Sequence, residues 1–182
     1  MLRLSVLALA AASFAVAGCD GRVAPAVAAD AAAPTSFGSV VERGRYLAAI
    51  MDCGGCHNAG SFSPRPDAGY LQGAEVGHEV PGMGIFYPPN LTPHPEVGLG
   101  RWSVEQIAAA IRSGRRPDGR ELAPAMPWRA YSALSDEDAL ALATYLKSLP
   151  PSSHRVAAPA TPETAPRPYL TMRSPASAAG GR

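Results

Sequence analysis

The chain has 182 residues, a formal net charge of +1 and 47% hydrophobic residues, and Ala alone fills 35 positions. That length suits one domain of ordinary size, while Gly 18 and Pro 19 argue against long uninterrupted helices and against a large regular sheet. A charge this close to zero, with 17% charged residues, argues against a nucleic-acid binder, which needs a basic face, and an odd Cys count of 3 leaves one thiol that cannot pair within the chain.

Residues 1–18 read as a secretory signal peptide: Arg3, an apolar stretch from Leu4 to Val16, then small residues. The stretch is too short for a transmembrane helix. Two cleavage patterns overlap. Ala15-Val16-Ala17 fits ordinary small-x-small cleavage, whereas Val16-Ala17-Gly18-Cys19 resembles the bacterial lipoprotein lipobox, in which Cys19 is lipidated and becomes the first residue. The second pattern is preferred, because the first leaves Cys19 as a free thiol in an oxidising compartment. Each buried CH₂ of an acyl chain contributes about 0.8 kcal/mol, so several chains on one terminus anchor a protein stably. The expected location is the periplasmic side of a bacterial membrane, held there by lipid.

Residues 19–36 are Ala-rich and almost free of large apolar side chains, which predicts a flexible tether. A core of 37–150 follows. Within it the apolar spacing predicts three helices. The first covers 39–52, with Val40, Gly44, Leu47 and Met51 on one face. The second covers 103–113, where Ser103 and Gln106 form a capping-box pair and Gly114 suits the stop. The third covers 136–149, capped by Ser135, striped by Leu142, Leu146 and Leu149, and ended by Pro150-Pro151. Between the first two lies 58–101, whose seven Pro and eight Gly predict a long irregular loop. The tail, 151–182, is Pro- and Ala-rich and is expected to be disordered or extended, with Tyr169-Leu170 and Met172 as its only docking candidates.

The chemistry sits at Cys53-Gly54-Gly55-Cys56-His57. C-x-x-C-H is the attachment signature for c-type haem. Two thiols can reach the two vinyl groups on one porphyrin edge, and the next residue projects an imidazole at the iron from the same side. Gly54 and Gly55 let the chain turn beneath the ring. Three other readings fit less well. A thioredoxin-type C-x-x-C needs a strand before it, and here the preceding residues have helical spacing. A zinc site needs a fourth ligand, which His78, His94 or His154 would have to supply without a second C-x-x-C. A plain disulfide leaves His57 without a task.

For the other face of the iron, Met is the common ligand in electron-transfer cytochromes. Met51 sits beside the motif and Met172 lies in the tail, which leaves Met83 and Met126. Met126 is preferred, because Pro124 and Pro127 stiffen its loop. A His ligand or an open position stays as the alternative.

Taken together, these residues resemble a class I cytochrome c domain over about three-fifths of the chain. More narrowly, they resemble the cytochrome c subunits of periplasmic dehydrogenases of alcohols, aldehydes and sugar acids. The resemblance rests on Arg43-Gly44-Arg45-Tyr46-Leu47, Asp52 to His57, Asn90-Leu91-Thr92-Pro93, Gly98 to Trp102, Pro124 to Pro127 and Tyr145 to Pro150. It implies an all-α class I cytochrome c fold, with three or more short helices around one covalently bound haem. It implies that His57 and Met126 are the axial ligands, and that Gly44 lets the first helix cross the last near Tyr145. Those dehydrogenase subunits often carry three haem domains; this chain has one C-x-x-C-H. The implied role is a mono-haem one-electron carrier between a dehydrogenase and the respiratory chain, with no catalytic residues of its own. Two other roles remain open at this point: electron donor to a terminal oxidase, and a haem enzyme with a labile distal ligand that reduces peroxide or a nitrogen oxide.

Overall fold

The computed structural model describes residues 36–172. The signal peptide, Cys19 and the tether as far as Thr35 lie outside the described residues.

The first helix, α1 (Val40–Ile50), starts at Ser39, whose hydroxyl accepts from the Glu42 N–H at 3.2 Å. It buries Gly44, Leu47 and Ala48. Val40, expected on the same stripe, is instead 57% exposed. It occupies the first turn, before the crossing that buries this face. A five-residue helix, α2 (Cys53–His57), follows at once. Farther along, α3 (Val104–Ser113) carries the full capping box of Ser103 and Gln106 and ends on Gly114 in the left-handed conformation. A single turn, α4 (Trp128–Tyr131), precedes α5 (Asp136–Ser148), which opens on Ser135 accepting from the Asp138 N–H at 3.1 Å.

α1 and α3 both pack on α5. The core they share is built from Leu47, Ile107, Ile111, Leu142 and Leu146, with Leu71 and Leu99 reaching in from the long loop. Each such side chain, fully buried, contributes about 1.5–3 kcal/mol. Gly44 is where α1 meets α5, against Ala141 and Tyr145, as the resemblance implied.

One expectation needs correction. The fold is not purely helical. A three-stranded sheet, in the order β2-β1-β3, is formed by β1 (Gly77–Val80), β2 (Gly84–Phe86) and β3 (Tyr169–Leu170). β1 and β2 form an antiparallel hairpin inside the segment predicted to be irregular, with Glu79 opposite Ile85. Strands of four, three and two residues are too short for a period-two pattern to register. For the tail, disorder and an extended course were both expected, with Tyr169-Leu170 as a docking candidate, and the structure shows the second. Over 151–172 it is hydrogen-bonded and largely extended, with one turn where the Thr164 N–H donates to the Thr161 carbonyl: β3 lies parallel to β1, and Ala160 exchanges both backbone hydrogen bonds with Ile85, at 2.7 and 3.0 Å. Its Pro content, read as a sign of disorder, is equally compatible with an extended strap, because Pro fixes φ without requiring a sheet donor.

Candidate functional site

Asp52 opens the site. Its φ of 54° lies in the left-handed region, which a short polar side chain tolerates. From there its carboxylate accepts from the Gly55 N–H at 3.2 Å and caps α2. A Cβ on Gly55 would lie 2.2 Å from that carboxylate, so the cap itself requires the glycine.

Cys53 and Cys56 stand three residues apart on α2, so their side chains share a face. Neither is in a disulfide. Burial pushes both thiols up, Cys53 to about 11, with the Asp52 carboxylate adding to the effect. Both are therefore held as protonated thiols. A redox-active C-x-x-C needs the opposite shift.

His57 is buried at the end of α2. Its Nδ1 lies 2.8 Å from the carbonyl oxygen of Pro89. A carbonyl can only accept, so Nδ1 carries the proton and Nε2 keeps its lone pair. Burial holds the ring's pKa below the usual value and so favours the neutral form. A neutral imidazole, fixed in one tautomer by an outer hydrogen bond, is the form in which His binds a metal. The main chain around it is equally fixed. The Gly73 N–H donates to the His57 carbonyl at 2.7 Å. Asn58 accepts from the Leu71 N–H at 2.9 Å and donates to the Pro66 carbonyl at 3.1 Å. Ser61 Oγ donates to the Gly54 carbonyl at 3.0 Å.

Met126 belongs to another part of the chain. After α3 the chain makes a hairpin in which the Leu122 N–H donates to the Gly114 carbonyl at 2.7 Å. Two turns follow: Met126 N–H to Ala123 carbonyl at 2.9 Å, then Trp128 N–H to Met126 carbonyl at 2.8 Å. They leave Met126 half-buried immediately before α4. From α4, Tyr131 donates its hydroxyl to the Met51 carbonyl at 3.0 Å, which ties the Met126 segment to the junction of α1 and α2. The other candidates are placed differently. Met83 sits at the β1–β2 turn and is 58% exposed. His94 Nδ1 accepts from the Glu96 N–H at 3.2 Å and so closes its own loop. His154 Nε2 lies 3.1 Å from a Glu75 carboxylate oxygen.

The structure thus gathers Cys53, Cys56 and His57 on one helical turn and sets Met126 on a separate, stiffened segment. Cys19 lies outside the described residues. The donor set fits a covalently bound haem: two unpaired thiols on one face and a neutral imidazole with Nε2 free to coordinate. Among the described residues, the buried side-chain nitrogens with no hydrogen-bond partner include His78 Nε2 and Trp128 Nε1. Such groups are costly in a finished interior.

Sequence reading missed Pro89, Asn58 and Tyr131 as parts of the site. Pro88-Pro89 was a usable signal, since two prolines fix an extended stretch with free carbonyls. Tyr131 carried none, because its partner is a backbone carbonyl eighty residues away.

The cytochrome c family model matches residues 41–150. Curated relatives point the same way. The chain is 40% identical over 107 residues to the fructose dehydrogenase cytochrome subunit of Gluconobacter japonicus, covering 58% of this chain and 20% of that one. It is 36% identical over 104 residues to the cytochrome c subunit of the quinone alcohol dehydrogenase of Gluconobacter oxydans, covering 57% and 20%. It is 37% identical over 107 residues to the gluconate 2-dehydrogenase cytochrome c subunit of Pantoea cypripedii, covering 59% and 22%. The chain therefore spans about a fifth of the length of these relatives.

Proposed function

We infer the function from one premise: this chain belongs to the cytochrome c family. On that premise Cys53 and Cys56 would hold one haem c covalently, and His57 and Met126 would be the protein ligands to its iron. It is a one-electron carrier that accepts electrons from a dehydrogenase and passes them into a respiratory chain. The relatives named as cytochrome subunits of dehydrogenases support that donor. Export and lipidation at Cys19 place the carrier on the periplasmic side of a membrane, close to membrane-bound partners.

The haem, when bound, supplies the Fe(III)/Fe(II) couple. The residues supply the rest. Cys53 and Cys56 hold the porphyrin edge, so the group cannot be lost outside the cell. Pro89 orients the His57 ring and strengthens it as a donor through the bond to Nδ1. The Met126 thioether, a soft ligand, favours the reduced iron and raises the potential. His57 and Met126 would together hold the iron from the protein side, which would suit it to electron exchange rather than to substrate binding.

The observation that carries this reading is the buried His57 with Nδ1 committed to Pro89 and Nε2 free. The experiment is spectroscopy of the purified, mature protein. The expected results are a pyridine haemochrome spectrum corresponding to one haem c, a weak sulfur-to-iron band at the red end of the ferric spectrum, and no fast carbon monoxide binding by the reduced form. Fast carbon monoxide binding would favour the haem-enzyme alternative instead.

A further inference from the structure

The family match stops at residue 150, yet the chain continues in an ordered path to 172. We propose that residues 151–172 form a strap that positions the His57 ligand, acting through Asn90 and Thr92. This rests on the reading of His57 as a haem ligand.

Asn90 is 1% exposed, and its whole side chain is committed. Its Nδ2 donates to two strap carbonyls, Ser152 at 2.8 Å and His154 at 3.1 Å. Its Oδ1 accepts from the Thr92 N–H at 2.9 Å and from Thr92 Oγ1 at 2.7 Å. Thr92 Oγ1 in turn accepts from the Ser152 N–H at 3.0 Å. Asn90 and Pro89 share one peptide plane, and the carbonyl in that plane is the one that accepts the hydrogen bond from His57 Nδ1. Because the peptide is planar, anything that fixes Asn90 also fixes the direction of that carbonyl. Strap, Asn90, Pro89 carbonyl and His57 Nδ1 form one continuous chain of contacts.

A second route reaches the other side of His57. Gly73, which donates to the His57 carbonyl, would place a Cβ 2.4 Å from Val156 Cγ1 and 2.8 Å from the Asn90 nitrogen. The strap therefore closes over Gly73 as well. Its far end is latched independently. Glu75 pairs with Arg167 and faces His154, the Tyr87 hydroxyl donates to the Arg167 carbonyl at 2.8 Å, and the Gly77 N–H donates to the Pro168 carbonyl at 2.9 Å.

Asn90 and Thr92 are positioning residues on this account. A well-aligned carbonyl on Nδ1 makes the imidazole a stronger donor and stabilises the ferric state. Slackening it moves the reduction potential upward.

The test uses the full-length haem protein and three variants: a chain ending at Pro151, Thr92→Val and Thr92→Ser. Val removes the hydroxyl at nearly constant shape; Ser restores it. Haem content is first read from the pyridine haemochrome of the intact chain. An intact chain without haem refutes the ligand reading, and amide exchange then decides the strap alone. The expected outcome is exchange about tenfold faster at the Gly73 N–H and at the Leu91 N–H, which donates to the Leu71 carbonyl at 2.9 Å, in the truncated chain and in Thr92→Val, the effect of losing about one buried hydrogen bond. The potential rises in the same two variants, and Thr92→Ser restores both readings. A truncated or Thr92→Val protein that melts earlier, yet keeps wild-type potential and wild-type exchange at Gly73 and Leu91, overturns the proposal. In that case the strap only adds stability. Should the truncated chain fail to fold, the Thr92 pair still decides.

Discussion

Gly44 on α1 faces the backbone of Ala141 on α5 so closely that a Cβ there would sit 2.1 Å from the Ala141 carbonyl oxygen and 2.6 Å from the Tyr145 Cβ. Neither obstacle is the flexible end of a side chain. Any side chain at 44 must push the two helices apart, and the helix pair carries Leu47, Leu142 and Leu146 in its shared core. Overpacking of this kind costs about 1–3 kcal/mol for small insertions. Gly44→Ala is therefore expected to destabilise by at least the upper end of that range, and Gly44→Val to prevent stable folding. Urea unfolding of the haem protein reads the loss; an unchanged midpoint for Gly44→Ala would contradict the close crossing.

The same two helices are joined by Arg43 and Asp138. The hydrogen bond from the Arg43 guanidinium holds the Asp138 carboxyl below the usual carboxylate range, and Ser135 at the helix start adds to this. The Asp138 pKa is lowered in the folded state, so its contribution to stability is fully present above the unfolded carboxylate pKa. It is lost as pH falls through the depressed folded value. Asp138→Asn should lower stability at neutral pH and leave stability less sensitive to pH on the acid side. Chemical unfolding from neutral pH down into the carboxylate range reads both effects. Parallel pH curves for the two proteins would show that the pair contributes nothing.

How much of this was legible beforehand follows from the range of the interactions. The helices α1, α3 and α5 announce themselves through Ser39, Ser103 and Ser135 and through apolar spacing, all signals that act within a few residues. C-x-x-C-H is just as local. The hydrogen bond that fixes the His57 tautomer is not: Pro89 lies thirty-two residues on. The strap is more distant still, since Asn90 meets Ser152 across sixty-two residues. Its sequence, rich in Pro and Ala, contains no periodic apolar pattern, because it docks by backbone carbonyls and N–H groups that every residue carries. Composition could therefore not separate a docked strap from a disordered tail.

The lipobox reading of Val16-Ala17-Gly18-Cys19 predicts where the protein is found. In cells expressing the whole chain, Cys19→Ser should move the protein from the membrane fraction to the soluble periplasmic fraction, with haem content unchanged. Among the described residues no helix is long and apolar enough to cross a membrane. A Cys19→Ser protein that stays in the membrane fraction would show that attachment does not depend on the lipid.

Met126 is the ligand assignment that most needs an experiment, because its thioether and His57 come from separate elements. The turns that set it, from Met126 to Ala123 and from Trp128 to Met126, are backbone bonds and survive loss of the side chain. Met126→Ala should therefore fold, keep its covalent haem and retain Tyr131 bonded to Met51. What it should lose is the sulfur-to-iron band at the red end of the ferric spectrum. Its potential should fall, because water or a nitrogen donor stabilises ferric iron better than a thioether does. Reduced protein should then bind carbon monoxide without displacing an internal ligand. Met83→Ala serves as the control, and its 58% exposure at the hairpin tip predicts that band and potential stay at wild type. If the two variants exchange behaviours, Met83 is the ligand, and the β1–β2 hairpin must swing over the haem to bring it there.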